Sequence, residues 1–332
     1  MQLVNQKVVL ARRPQGMPTA EDFEFVEEPV AEPEPGQVVI EVDHLGIDAF
    51  IATTLDHDGH HGQNALQSAI IALGTGRIVA SLNDDFAVDD WVFGGMGAQR
   101  YNVCGTEMLR KLDPNLAPPR SYLGVLGMTT GLTAYAGMLL VGQVKEGDTV
   151  AVSAAAGAVG TVACQLAKVR GANVIGIAGG PQKCEFLESI GCSGTIDYKN
   201  SDVASELKRL APDGLNVFFD NVGGSILDAA LDNLAMEARV VICGAISQYA
   251  HMAAVEGPSL YLRLAERNSS MRGFTVDHFT SQFPKMEADL AGWSAEGKVN
   301  LPEHIEQGLE RFPDALGMLY SGGHTGKLLL KP

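Results

Sequence analysis

The segment from Thr149 to Arg170 constrains this chain more than any other. Residues 149–154 are an apolar stretch of strand length, and residues 159–170 carry apolar side chains at helical spacing. Between them lies Ala154-Ala155-Ala156-Gly157-Ala158-Val159-Gly160. A strand that turns through glycine into a helix aims backbone N–H groups and the positive end of the helix dipole at one point, which suits an anion. Gly157 lets the backbone approach a pyrophosphate, and Gly160 lets the helix pack close to the strand. Ala155 takes the place of the usual first glycine. A plain strand-to-helix corner would look similar, so the context decides. Strand patterns recur at 173–178, 195–198, 216–220 and 239–243, separated by helical patterns at 182–190, 203–210 and 226–234. Strands joined by helices pair in parallel, so the expected fold class here is α/β, a doubly wound sheet with its ligand at the carboxyl ends of the strands.

The ends of the next two strands bear on which dinucleotide fits. An NAD site places Asp or Glu about 20 residues on, to hold the ribose 2′-hydroxyl. Here the second strand ends in Ala178-Gly179-Gly180, with no acid to repel a 2′-phosphate. Lys183 opens the following helix and offers a cation, and Tyr198, ending the third strand, offers a hydroxyl. These residues point to NADPH. A solvated helix lysine is the ordinary alternative for Lys183.

The chain has 332 residues, enough for more than one core. Residues 1–122 read as short strands and turns, with alternation over 37–43, a strand running into glycine over 89–95 and a proline-rich loop over 28–36. This part is expected to be a small β-rich, barrel-like domain. Residues 123–296 form the expected nucleotide-binding domain, opened by helical spacing over 122–140. Residues 297–332 are expected to return to the first domain, through a helix over 302–321 and a closing strand over 326–331. The net charge of −16 argues against a nucleic-acid partner. No run of 18 apolar residues suggests a membrane span, and residues 1–13 lack a secretory pattern. Cys104, Cys164, Cys184, Cys192 and Cys243 are scattered, odd in number and without a Cys-x-x-Cys pair. That speaks against a disulfide framework or a zinc ribbon and for a cytoplasmic protein.

Several runs carry a resemblance: residues 124–128 with 131–135, 153–160, 176–184, 219–224, 243–249 and 271–274. They resemble the zinc-independent medium-chain dehydrogenase/reductase superfamily, and within it the prostaglandin reductase and alkenal double-bond reductase (leukotriene B 12-hydroxydehydrogenase-like) branch. The resemblance implies a GroES-like β-barrel domain plus a Rossmann domain. It implies NADPH-dependent reduction of the carbon–carbon double bond of α,β-unsaturated ketones and aldehydes, with hydride going to the β-carbon. Its cofactor contacts fall on Gly157, Ala158, Val159, Gly160, Lys183, Tyr198 and Asn221. They continue on Cys243, Gly244, Ala245, Ile246, Ser247, Tyr249, Phe274, Thr275 and Val276. His324 stands in the closing Gly-x-x-x-Gly-Lys run, where the family carries Asn. A homodimer is implied too, with the strand near 271–276 pairing across a two-fold axis.

Hydride addition to an enone builds negative charge on the carbonyl oxygen, which a neutral donor would stabilise. Tyr249, after the fifth strand of the α/β unit, is the candidate catalytic residue, assisted by the cofactor's ribose 2′-hydroxyl as the resemblance suggests. A tyrosine that only packs against the cofactor is the alternative. Candidate substrate contacts are Phe50, Ile51, Met128, Tyr249 and Tyr261. Where the family has Asp-Pro-Tyr-Met-Arg this chain has Asp48-Ala49-Phe50-Ile51-Ala52, so a more apolar wall and a bulky or aromatic enone are expected. No metal is expected. The early cysteine of the zinc enzymes is missing from 46–50, and the segment Asp56 to His61 is polar and loop-like, with adjacent histidines that share no face. A zinc-free quinone reductase and a non-catalytic NADPH-binding protein are the competing readings.

Overall fold

The computed structural model describes residues 3–56 and 61–332, apart from the side chains of 250–253. Two compact units compose it, Met1–Gly124 with Glu303–Pro332, and Val125–Pro302.

In the first unit, β1 (Val4–Leu10) and β2 (Phe23–Pro29) form an antiparallel ribbon. β3 (Val38–Gly46) is followed by α1 (Phe50–Asp56). β4 (Leu73–Ser81), β5 (Trp91–Gly95), β6 (Tyr101–Cys104) and β7 (Arg110–Lys111) complete an antiparallel meander with β3. The alternation read over 37–43 has its cause in β3, where Ile40 and Val42 are buried and Glu41 is exposed. Val8, Ile40, Leu45, Ile51, Ile78 and Val92 share one core.

The second unit begins with a helix, α2, over residues 128–141, in which π-turns flank an α-turn. The helix expected from Tyr122 starts later than its spacing suggests. Pro119–Tyr122 is a separate 3-10 turn, and the chain folds back before α2. A Cβ on Gly131 would lie 1.6 Å from the Val125 carbonyl oxygen, so this fold-back needs glycine there. Next come β8 (Thr149–Val152), α3 (Ala158–Val169), β9 (Asn173–Ala178), α4 (Pro181–Ser189), β10 (Gly194–Asp197) and α5 (Val203–Leu210). β11 (Leu215–Asp220), α6 (Gly224–Leu231), β12 (Leu234–Ile242), α7 (Arg263–Glu266), β13 (Ser270–Gly273) and α8 (Phe283–Ala295) follow. The six strands are parallel and lie in the order β10-β9-β8-β11-β12-β13. The order reverses between β8 and β11, which opens a crevice at their carboxyl ends. Val150, Val152, Ile177, Phe218 and Phe219 are wholly buried, as expected of central strands covered on both faces.

The chain then returns to the first unit with β14 (Glu303–Gln307), α9 (Phe312–Ser321) and β15 (Lys327–Lys331). β15 pairs in parallel with β14 and antiparallel with β3, giving the order β14-β15-β3-β4-β5-β7. The helix expected over 302–321 is therefore only half helix. Residues 303–307 pair with β15, and Gly308, at φ 86°, turns the chain before α9 starts. Lys327 is buried, and its Nζ donates to Asp48 Oδ1 at 2.6 Å.

Candidate active site

The glycine loop joins β8 to α3. Gly157 caps the helix, and its N–H donates to the Ala154 carbonyl at 3.0 Å. A Cβ on Gly160 would stand 2.3 Å from that carbonyl oxygen and 2.7 Å from Ala155 Cα, so the close approach read from the sequence requires glycine. The left-handed residue of the turn is Ala154, at φ 48°, not the Ala155 that replaces the usual first glycine. Ala158, Val159 and Gly160 occupy the first turn of α3, where N–H groups have no intrahelical acceptor.

Past β9 and β10 lies a cradle of donors. A Cβ on Gly179 would fall 2.9 Å from the Tyr198 hydroxyl and 2.8 Å from Lys199 Cε, so both side chains lie across the space that glycine leaves. Lys183, half-buried in the first turn of α4, has its pKa lowered by burial and by the charge of Lys199. Two ammonium groups and a phenol fit a 2′-phosphate. Lys199 escaped the sequence reading, although it follows Tyr198 directly. An acid also stands here. The Asp197 carboxylate accepts from the Gly180 N–H at 2.7 Å and from the Lys199 N–H at 3.1 Å, and the Gly180 bond holds its pKa below the usual range.

The ends of β8, β11 and β12 are tied by a buried network. Asp220 Oδ1 accepts from Ser153 Oγ at 2.8 Å, and both of its oxygens accept from the Gly223 N–H. Burial pushes its pKa up, against these bonds. Asn221 Nδ2 donates to the Ser153 carbonyl at 2.7 Å. The Cys243 and Gly244 N–H groups donate to the Asp220 carbonyl at 2.8 and 3.1 Å. Ser247 spends both its N–H and its hydroxyl on the Val222 carbonyl, so it shapes the loop. Ser153 and Asp220 were not singled out from the sequence as site residues. Their signal was the buried polar pair at the ends of two apolar strands.

Tyr249 lies on the 3-10 segment Ile246–Ala254. Its oxygen accepts from the Ala245 N–H at 3.3 Å, leaving its own O–H to donate. Burial raises its pKa, with a smaller opposing effect from that N–H, so the phenol stays protonated. A Cβ on Gly244 would be 2.9 Å from this hydroxyl. Phe274, after β13, packs its ring on Gly137 of α2, where a Cβ would meet Phe274 Cζ at 2.6 Å. Thr275 and Val276 follow it, partly exposed. Met128 is partly exposed, its carbonyl accepting from Thr133 Oγ1 at 2.7 Å.

The structure thus gathers residues 153–160, 221–224 and 243–249 at one edge of the sheet. Tyr261, also in this unit, is 57% exposed on a turn beyond it. Phe50, Ile51 and His324 belong to the first unit. Ile51 is completely buried in that unit's core, so it supports α1 and has no surface for a substrate. Phe50 is partly exposed and stands 5.0 Å from the His61 ring, and His324 is buried. Residues 57–60, with their histidines, lie outside the described residues. Among the described residues no three His, Cys, Asp or Glu side chains are grouped to hold a metal ion, and no helix is long and apolar enough to cross a membrane.

Comparison with known proteins adds two family matches. Residues 158–292 match a model described as zinc-binding dehydrogenase, and residues 6–112 one described as the N-terminal domain of oxidoreductase. YfmJ of Bacillus subtilis (strain 168) is 40% identical over 334 residues, covering 98% of this chain and 97% of that protein. The NADP(+)-dependent 2-alkenal reductase of Nicotiana tabacum is 34% identical over 331 residues, covering 97% and 96%. The crystal structure of CurA from Vibrio vulnificus in complex with NADPH is 35% identical, with a TM-score of 0.92 over 98% of each chain.

Proposed function

Because the chain belongs to the zinc-independent branch of the medium-chain dehydrogenase/reductase superfamily, and is an NADP-dependent oxidoreductase, we propose that it reduces the carbon–carbon double bond of α,β-unsaturated ketones and aldehydes. The observation that carries this reading is Tyr249, a half-buried, protonated phenol at the carboxyl edge of the sheet whose oxygen accepts from the Ala245 N–H and whose O–H can donate. The cradle of Lys183, Tyr198 and Lys199 fits the 2′-phosphate of NADPH, and the glycine loop fits its pyrophosphate. NADPH held by these residues would supply the hydride for the β-carbon, and a ribose 2′-hydroxyl of the cofactor would be a second donor. Tyr249 donates to the oxygen on which charge builds, and burial makes that bond stronger than it would be in water. The Ala245 N–H and the gap left at Gly244 hold the phenol in place.

A preference for bulky or aromatic enones, read from Phe50 and Ile51 in the sequence, is part of this proposal. The test is NADPH oxidation followed by its absorbance, with small enones, aromatic enones, quinones or no acceptor. Turnover of aromatic enones to the saturated carbonyl is expected. Turnover of quinones alone makes the chain a quinone reductase, and tight NADPH binding without turnover makes it a binding protein. We propose a homodimer formed through β13, the exposed edge of the parallel sheet. Light scattering that gives a monomer mass at micromolar concentration overturns it.

A further inference from the structure

The cradle beyond β9 and β10 is assembled around an acid that no cofactor contact explains. Asp197 is the last residue of β10 and pairs in register with Ala178, the last of β9. β10 is the edge strand of the parallel sheet, so the turn after it has a neighbouring strand on one side only. Asp197 supplies the missing support. Its Oδ1 accepts from two N–H groups at once, Gly180 at 2.7 Å and Lys199 at 3.1 Å. Gly180 lies on the chain leaving β9, and Lys199 on the chain leaving β10. Oδ2 accepts from Asn200 Nδ2 at 2.7 Å. The Asp197 carbonyl accepts from the N–H groups of Asn200 and Ser201 at 3.1 and 2.9 Å. One residue thus ties both walls of the cradle. Gly180 is the N-cap of α4, at φ 95°, and has no side chain to hold the helix start. Fixing its N–H fixes how α4 begins, and with it where Lys183 stands. On the other wall, Tyr198 and Lys199 reach across the space at Gly179.

We propose that Asp197 is the positioning residue of this cradle and a determinant of selectivity for NADPH over NADH, acting through Lys183 and Lys199 and not by touching the cofactor. This role rests on the cradle being the 2′-phosphate site. An acid at the end of the second strand selects NADH, because it accepts from the ribose 2′-hydroxyl and repels a phosphate. Asp197 ends the third strand instead, and three donors of the protein already hold its two oxygens. The Gly180 N–H first, and the Asn200 amide next, keep its carboxyl below the usual range, so the acceptor is ionised at neutral pH. The acid is consumed in building a site for an anion. Such a tie has work to do here. The charge of Lys199 bears on Lys183, and two ammonium groups aimed at one space push apart. Clasping both backbones to one oxygen keeps the two cations converging before the phosphate is bound, which spares the entropy of ordering them. NADPH and NADH differ only in that phosphate, so loosening the clasp costs the first and spares the second.

The test measures Kd on the full chain by titration calorimetry, for NADPH, NADH and 2′,5′-ADP, which carries the phosphate without the nicotinamide. Asp197→Ala should weaken NADPH and 2′,5′-ADP about tenfold and change NADH by less than about twofold. Asp197→Asn keeps an oxygen that accepts from the Gly180 and Lys199 N–H groups, and should stay within about threefold of the parent for all three ligands. Joined to Lys199→Ala, Asp197→Ala should add much less than its separate effect, because the one acts through the other. Equal weakening of NADPH and NADH makes Asp197 a residue of the fold alone and overturns the inference. Tighter NADPH binding in Asp197→Ala and Asp197→Asn overturns it too, since the charge then opposes the phosphate. If Lys199→Ala weakens NADPH and Asp197→Ala does not, the inference falls and the cradle stands. If neither Lys183→Ala nor Lys199→Ala weakens NADPH, the cradle falls and takes the inference with it. Should Asp197→Ala fail to fold, Asp197→Glu decides. It keeps the charge and displaces the oxygens, so it should weaken NADPH about fivefold and spare NADH, and parent-like NADPH binding in it overturns the inference.

Discussion

Ala154 is an L-residue at φ 48°, in the left-handed region that glycine occupies without cost. Ala154→Gly should therefore stabilise the protein by about 0.5–1 kcal/mol, the relief of strain exceeding the added freedom of the unfolded chain. Thermal unfolding checks this, and a lower midpoint contradicts it. Tyr249 yields a second expectation. Its burial raises the phenol above its ordinary value of 10.0, and the donor must be protonated to act. At saturating NADPH, kcat should stay level through pH 10 and fall only above it. Tyr249→Phe should lower kcat about 100-fold and abolish that alkaline fall, while the NADPH Kd stays unchanged. A fall centred below pH 9 would assign the titration to another group.

Among the elements, the parallel sheet was the most legible part of the sequence. Strands 173–178 and 216–220 and helix 203–210 lie where their apolar patterns place them, because each is a covered central strand or a helix with one buried stripe. The misreadings have physical causes. Residues 303–307 carry no helix-breaking residue, and only pairing with β15 makes them a strand. The late start of α2 follows from the fold-back at Gly131, a tertiary contact that local spacing does not encode. In the site, the loop glycines and Tyr249 were visible as motif and position. Lys199 and Asp220 were not, since the one depends on the empty space at Gly179 and the other on a network reaching Ser153. The turn after β10 carries its own prediction. Lys199→Ala should raise the Kd for NADPH about tenfold, as loss of one charge-assisted bond does, and leave that for NADH unchanged. Titration calorimetry showing equal weakening for both would remove Lys199 from the phosphate.

On the scale of the whole molecule, the first unit is built from both ends of the chain. Its seam is the pair of Lys327, 1% exposed, and Asp48, whose second oxygen has no hydrogen-bond partner. Asp48→Asn leaves a buried ammonium without its counter-charge and should cost about 3–5 kcal/mol. Asp48→Asn combined with Lys327→Met should recover most of that loss. Chemical denaturation of the two variants checks this, and equal losses would show that the pair itself is not what holds the seam.

The seam also orders events in time. A ribosome makes β3 early, but β15 emerges only after all of the second unit has been synthesised. Until then the nascent chain carries an unpaired strand edge, open to a neighbouring copy on the same messenger. Vectorial synthesis therefore gives the early strands a long wait. A chain stopped before residue 327 should go to inclusion bodies even though its second unit is intact.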